Sequence, residues 1–250
     1  MFLTNSKSFL PIKKNSLKKF FSISTDKTVN PTSLLGISKT LMENQLSKFK
    51  SKNKDIFVSS VRFANVSFSN GSILKYVVDR IIDKKIFGIP NTIRRYFITH
   101  DEASSLCFKS LLKRNDNKIL IPNSNLLNKE YLIRDLIVKI LELNGYTPNF
   151  LSKIKSKNIK INKNYPILLT KPNTHGQKYY EELHTNLEQL DYDKKDKTVV
   201  RVNLPISKNI DKTLNTILKL DDLNKIKKFL IKNFKLYKPP KNVIKVSQNL

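Results

Sequence analysis

The stretch "STDKTVNPTSLLGISK" (24–39) decides how this chain is read. It follows "LKKFFSIS" (17–24), which alternates and then stays apolar as a short buried strand does. Pro31-Thr32-Ser33 then reads as a turn feeding a helix, with Leu34, Leu35, Ile37, Leu41, Met42 and Leu46 as its apolar positions. Thr25-Asp26-Lys27 therefore stands at a strand end facing a helix start. Alone it is either a polar turn or an acid beside a base. Lys39 lies four residues after Leu35, so the two share one helical face.

Working outward, "DIFVSSVRF" (55–63) is a second buried strand. Ile73, Leu74, Val77, Val78, Ile81 and Ile82 repeat at helical spacing behind Gly71-Ser72. Gly88-Ile89-Pro90 predicts a turn and "IRRYFIT" (93–99) an extended segment, after which Asp101 is expected to cap a helix through about Leu112. "KILIPN" (118–123) and "YPILLT" (165–170) are further strands, separated by an amphipathic helix over 128–143 that ends before Gly145. A Lys/Asn-rich connector covers 151–164, and two helices close the chain at 211–220 and 222–234. Alternating strands and helices predict an α/β fold.

The 250 residues carry 47 Lys and Arg against 20 Asp and Glu, a formal charge of +27. Only seven of the bases are Arg, and the Lys is scattered over every segment beside abundant Asn and Ile. A nucleic-acid reader would concentrate base on one element and favour bidentate Arg or stacking aromatics, so no specific nucleic acid is expected. Cys107, the single cysteine, lies in the apolar-rich "EASSLCFKSLL" (102–112), which excludes an intramolecular disulfide and predicts a structural thiol in a reducing, cytoplasmic setting. No apolar run approaches a membrane span. The start is Ser- and Lys-rich but holds no Arg, so it reads as structure rather than a transit peptide. His100, His175 and His184 show no metal-ligand spacing.

Three successive segments carry a resemblance: "FFSISTDKTVNPTSLLGISKTLMEN" (20–44), "VRFANVSFSNGSI" (61–73) and "RRYFITHDEA" (94–103). With "NTHGQKYYEELHTN" (173–186), they resemble in order and spacing the CapD-like nucleotide-sugar 4,6-dehydratases, which are extended short-chain dehydrogenases/reductases of polysaccharide biosynthesis. The similarity spans most of 17–190 and is nearest the UDP-N-acetylglucosamine branch. It implies a UDP-sugar substrate and NAD, which takes hydride from the sugar's C4 and returns it to C6 after water is lost.

The same resemblance implies roles for residues. Asp26 would be the acid and Lys27 the base of the elimination, with Thr25 bonded to a sugar hydroxyl; adjacent acid and base at a buried strand end suit that task. Lys39 would hold the nicotinamide ribose, with Ser24 and Phe63 also on the cofactor side. Leu35 stands where most of the superfamily has a catalytic Tyr and has no hydroxyl to ionise. Asn65, Gly71, Ser72 and Arg95 would meet the substrate's diphosphate, the glycine and serine through a helix N-terminus and Arg95 as a bidentate partner. Gln177 replaces the family's Glu in Gly176-Gln177-Lys178, and its amide oxygen is left to meet the ribose hydroxyls.

No G-x-G-x-x-G occurs among the five glycines, so the pyrophosphate cradle of the nucleotide fold is not in this sequence. The expected fold is a partial Rossmann-like α/β unit. Residues 1–66 hold its residual part with the catalytic strand end and helix, 67–190 the sugar-nucleotide part and 191–250 a helical tail. The strand at 17–25 would then expose a sheet edge, and a truncated or split product, joined by a separate N-terminal half or a second copy, is expected. The competing expectations are an epimerase of the same family, a non-catalytic relic that binds sugar nucleotide, and a basic nucleic-acid-binding protein.

Overall fold

A computed structural model describes residues 17–127, 129–153, 161–170, 178, 180–205 and 209–236. The chain opens with β1 (Lys19–Thr25), α1 (Leu34–Lys52), β2 (Phe57–Phe63), β3 (Asn65–Val66) and α2 (Ile73–Ile82). It continues through β4 (Phe87–Pro90), β5 (Arg94–Arg95), β6 (Phe97–Ile98), α3 (His100–Ser110), β7 (Lys118–Pro122) and the short α4 (Ser124–Leu127). Then come β8 (Tyr131–Leu132), α5 (Ile133–Leu143), β9 (Thr147–Leu151), β10 (Asn164–Thr170), β11 (Asp191–Tyr192), β12 (Val199–Asn203), α6 (Ile210–Lys219) and α7 (Leu223–Asn233).

The main sheet has the order β1-β2-β7-β12-β11. Its first three strands are parallel, and β12 and β11 add antiparallel. All seven residues of β2 are buried, and their alternation feeds two cores. Val58, with Ile119 and Ile121 of β7, packs with Leu46 of α1 on one face; Val61 and Phe63 pack with Leu120, Ala103 and Leu106 on the other. Each fully buried aliphatic side chain contributes about 1.5–3 kcal/mol, so this double cover fixes both strands. A second sheet, β4-β10-β9, is wholly parallel and is packed by α2 and α5 through Val77, Ile81, Ile137 and Leu141. α6 and α7 close over Ile37 and Leu41 of α1. β1 ends the main sheet with one neighbour among the described residues.

Several expectations need correction. The predicted turn at 88–90 is part of β4: Phe87 and Ile89 point into the core at period two, and Gly88 sits where an added Cβ would come 3.2 Å from Thr170 Cγ2. Thr99, not Asp101, caps α3, because its hydroxyl and the Glu102 carboxylate form a reciprocal capping box. The helix predicted over 128–143 begins only at Ile133, since Tyr131 and Leu132 pair antiparallel with Arg95 and Arg94. Thr147–Leu151, of which only Leu151 falls in the predicted connector, is β9, and "VVRVN" (199–203) is a strand the sequence reading passed over.

Candidate functional site

The strand end at Thr25 is held by its own side chain. Thr25 caps a single 3-10 turn, Asp26–Thr28, and its hydroxyl donates to Asp26 Oδ1 at 2.6 Å. Thr28 Oγ1 donates back to Thr25 O at 2.8 Å, and Thr40 Oγ1 of α1 donates to Thr28 O at 3.0 Å. α1 starts directly against this turn: a Cβ on Gly36 would lie 2.3 Å from Lys27 O, so only glycine permits the approach. Asp26 is thereby sunk to 4 % side-chain exposure while Lys27 stays at 43 %, with Lys27 Nζ donating to Asp26 Oδ1 at 3.1 Å.

This pair faces a cavity of about 510 Å³ beyond the carboxyl ends of β1 and β2, where open α/β sheets place their ligands. Asp26, Lys27, Asn65, Gly71, Ser72 and Arg95 all line it, so six of the residues singled out in the sequence converge from segments up to 69 positions apart. Leu35 lines it too. Gly71, at φ 78°, and the N-cap Ser72 bring the start of α2 to the wall. Thr25 sits behind Asp26 as its hydrogen-bond donor. Gln177 lies outside the described residues.

The residues that the resemblance put on the cofactor side lie elsewhere. Ser24 is 3 % exposed and its hydroxyl donates to Glu43 Oε1 at 2.5 Å. Phe63 belongs to the core beneath α3. Lys39 Nζ donates to Ile23 O at 3.0 Å on β1. Ser24, Phe63 and Lys39 are thus engaged within the protein and are not among the residues that line this cavity. Among the described residues no group of His, Cys, Asp and Glu could hold a metal ion, and no helix is long and apolar enough to cross a membrane.

Arg95 lines the cavity while bonded to the protein's own groups. Its Nη1 donates to Arg94 O at 2.6 Å, its Nη2 to Lys178 O at 2.9 Å, and its Nε lies 3.3 Å from Glu181 Oε1. It thus anchors Lys178 and Glu181, two cavity-lining residues of a strap. Lys178 Nζ bonds Val29 O and Glu182 Oε2, and Asn30 Nδ2 donates to Glu182 Oε1 at 3.1 Å. Asn65 Nδ2 donates to Glu181 Oε1 at 2.6 Å.

Glu181 is the site residue the sequence reading missed. It lines the cavity with its carboxylate 2 % exposed. Burial and then the Asp26 charge push its pKa up to about 7, against the pull of Arg95, Asn65 and Lys27. The signal in the sequence was the acidic pair in "KYYEELHTN" (178–186), but the Tyr96 and Asn65 partners of Glu181 lie 85 and 116 positions away.

A family model described as polysaccharide biosynthesis protein matches residues 8–203. Capsular polysaccharide biosynthesis protein CapD of Staphylococcus aureus is 29 % identical over 178 residues, covering 69 % of this chain and 28 % of that protein. An uncharacterized membrane protein of Methanocaldococcus jannaschii is 34 % identical over 188 residues, covering 70 % of this chain and 50 % of that protein. The chain therefore spans half or less of the length of these relatives. Among solved structures, Pen from Bacillus thuringiensis superposes with a TM-score of 0.60 at 19 % identity, covering 88 % of this chain and 64 % of that one, a likeness of fold.

Proposed function

The chain belongs to the CapD-like polysaccharide biosynthesis family of extended short-chain dehydrogenases/reductases, and from that premise we propose that it is a nucleotide-sugar 4,6-dehydratase-like protein whose cavity takes UDP-N-acetylglucosamine. The observation that carries this reading is the convergence of Asp26, Lys27, Asn65, Gly71, Ser72 and Arg95 on one cavity. In it, the diphosphate lies against the N-terminus of α2 beside Gly71 and Ser72, where backbone N–H groups and the helix dipole favour an anion. Arg95 acts by building the wall, with Nη2 and Nε turned to the strap and Nη1 to Arg94 O.

The Asp26–Lys27 hydrogen bond suits elimination from a 4-keto sugar. Moving one proton across the 3.1 Å bond converts ammonium and carboxylate into amine and carboxylic acid. Lys27 Nζ then takes the C5 proton, the C–H electron pair forms the C5–C6 double bond, the C6–O bond breaks, and Asp26 delivers its proton to the departing hydroxyl, releasing water. The ion pair is regenerated without a further proton. Thr25, donating to Asp26 Oδ1, fixes that oxygen's orientation. NAD, when bound, would supply the hydride acceptor for the steps before and after.

Calorimetry of the chain with UDP-N-acetylglucosamine tests the binding half of this reading, with saturable heat and thermal stabilisation expected. Absence of both would overturn it. Product analysis tests the chemistry: dehydration gives a 4-keto-6-deoxy sugar, whereas epimerisation keeps the C6 oxygen.

A further inference from the structure

Two buried carboxyls face this one cavity with unequal support. Asp26 Oδ1 accepts from the Lys27 ammonium at 3.1 Å and the Thr25 hydroxyl at 2.6 Å. Glu181 Oε1 accepts from the Asn65 amide at 2.6 Å and lies 3.3 Å from Arg95 Nε, a longer ionic contact, while Oε2 accepts the Tyr96 N–H at 3.0 Å. The ionisable groups around Glu181 are Asp26 and Lys27 from the turn after β1, Arg95 of β5, the Tyr96 phenol that follows it, and Lys178 on the strap. A diphosphate entering this space adds negative charge beside two carboxylates already withdrawn from water. Like charges in a site of low polarity are relieved by neutralising the group whose charged form is least supported. Glu181 is that group: its hydrogen-bond donors are the neutral Asn65 amide and Tyr96 N–H, whereas Asp26 has a charge-assisted bond from the Lys27 ammonium.

We propose that diphosphate binding in this cavity is coupled to the uptake of one proton by Glu181, which makes Glu181 a positioning residue that changes from carboxylate to carboxylic acid as the ligand enters. The inference rests on the reading of the cavity as a nucleotide-sugar site. The proton comes from solvent, and the neutral acid still accepts from Asn65 on Oε1 while gaining an O–H to donate. The unliganded value of about 7 puts the change within reach of neutral pH. The sign follows from linkage: a bound anion raises a neighbouring carboxyl further, so affinity is flat below the unliganded value and falls as pH rises through it, by up to about tenfold per pH unit.

The test is calorimetry of the full chain with UDP-N-acetylglucosamine, a diphosphate diester with no group of its own that titrates near neutrality. At about pH 8, the heat is expected to differ between phosphate and Tris buffers by the uptake of close to one proton, with Kd rising above neutrality as linkage requires. Glu181→Gln, neutral throughout, is expected to bind with buffer-independent heat and a flat Kd. Should that variant not fold, carboxyl 13C titration of the unaltered protein decides, with one Glu midpoint near neutrality moving upward on ligand addition. Saturable binding with buffer-independent heat, a Glu midpoint that does not move, or proton uptake surviving in Glu181→Gln would overturn the coupling alone. No binding at any pH would overturn the cavity reading, and the coupling with it.

Discussion

Arg62 lays both sides of its guanidinium on Glu43: Nε lies 2.9 Å from Oε1 and Nη2 2.7 Å from Oε2, with the two side chains only 4 % and 2 % exposed. Ser24 donates to the same Oε1, and Arg62 Nη1 reaches Leu183 O at 3.0 Å and Glu188 at 3.1 Å. One ionic knot thus ties the end of β1, α1, β2 and the strap that carries Glu181. Burial opposes the charge on Arg62, but Glu43 and Glu188 outweigh it and raise its pKa. Arg62→Met should therefore cost about 3–5 kcal/mol by leaving Glu43 buried and unpaired, whereas the double change with Glu43→Leu should recover much of that loss. Thermal unfolding measures both, and a single variant as stable as the parent would show that the knot contributes nothing.

Gly36 is where a single methyl group should disturb the site without touching its chemistry. A Cβ there meets the Lys27 carbonyl at 2.3 Å and Pro31 Cβ at 3.1 Å, so Gly36→Ala must push α1 off the Asp26–Thr28 turn. Overpacking of this kind costs about 1–3 kcal/mol, which for a chain of this size lowers Tm by roughly 2–4 °C per kcal/mol. The ordinary gain in helix propensity from Gly to Ala, about 1 kcal/mol, has the opposite sign. A rise in Tm on substitution would contradict the close approach of helix and turn.

Acid should loosen the segment before β12. Asp193 is held well below the usual carboxylate range, at about 2, by backbone N–H donors of Lys195 and Asp196 and then by Arg201 and Arg114. A depressed carboxyl contributes stability that is complete above its unfolded value of 3.8 and is lost as pH falls through about 2. Hydrogen exchange at Lys195 and Asp196 should accelerate over that window, and Asp193→Asn should already be accelerated at neutral pH. Equal protection in parent and variant across the window would refute this assignment.

Legibility followed periodicity and sequence distance. β1, β2, α2, β7, β10 and the last two helices show through because runs of apolar residues repeat at two or near 3.6 positions in windows long enough to read. β4 was hidden because Gly88 and Pro90 mimic a turn while only Phe87 and Ile89 carry the strand pattern. β12 was hidden by Arg201, whose burial makes sense only once Asp191 and Asp193 are seen bonded to it at 2.7–3.1 Å. Thr99 and Glu102 spelled their capping box openly, and it was Asp101 that distracted. At the site, 24–39 was readable because strand end, turn and helix lie in one continuous stretch. Glu181 was not, because its meaning comes from Asn65, Arg95 and Asp26, and no local pattern joins residues so far apart.

The roles proposed for Asp26 and Lys27 separate in a measurement that needs no hydride transfer. A UDP-linked 4-keto sugar already has an acidic C5 proton, and a base at C5 will exchange it with deuterium from solvent even before water leaves C6. Lys27→Ala removes the amine, so both exchange and dehydration should fall together, by about 10²–10⁴. Asp26→Asn keeps an acceptor for Thr25 but can neither take the Lys27 proton nor give one to the leaving hydroxyl, so Lys27, 43 % exposed, must lose its proton to solvent instead. It should therefore slow C5 exchange less than loss of water, which should fall by about 10²–10⁴. Neither change removes Gly71, Ser72 or the α2 N-terminus, so UDP-sugar affinity should stay within about one order of magnitude, or ~1.4 kcal/mol, of the parent. Exchange that survives Lys27→Ala would take the base away from Lys27, and a loss of water no slower than C5 exchange in Asp26→Asn would take the acid away from Asp26.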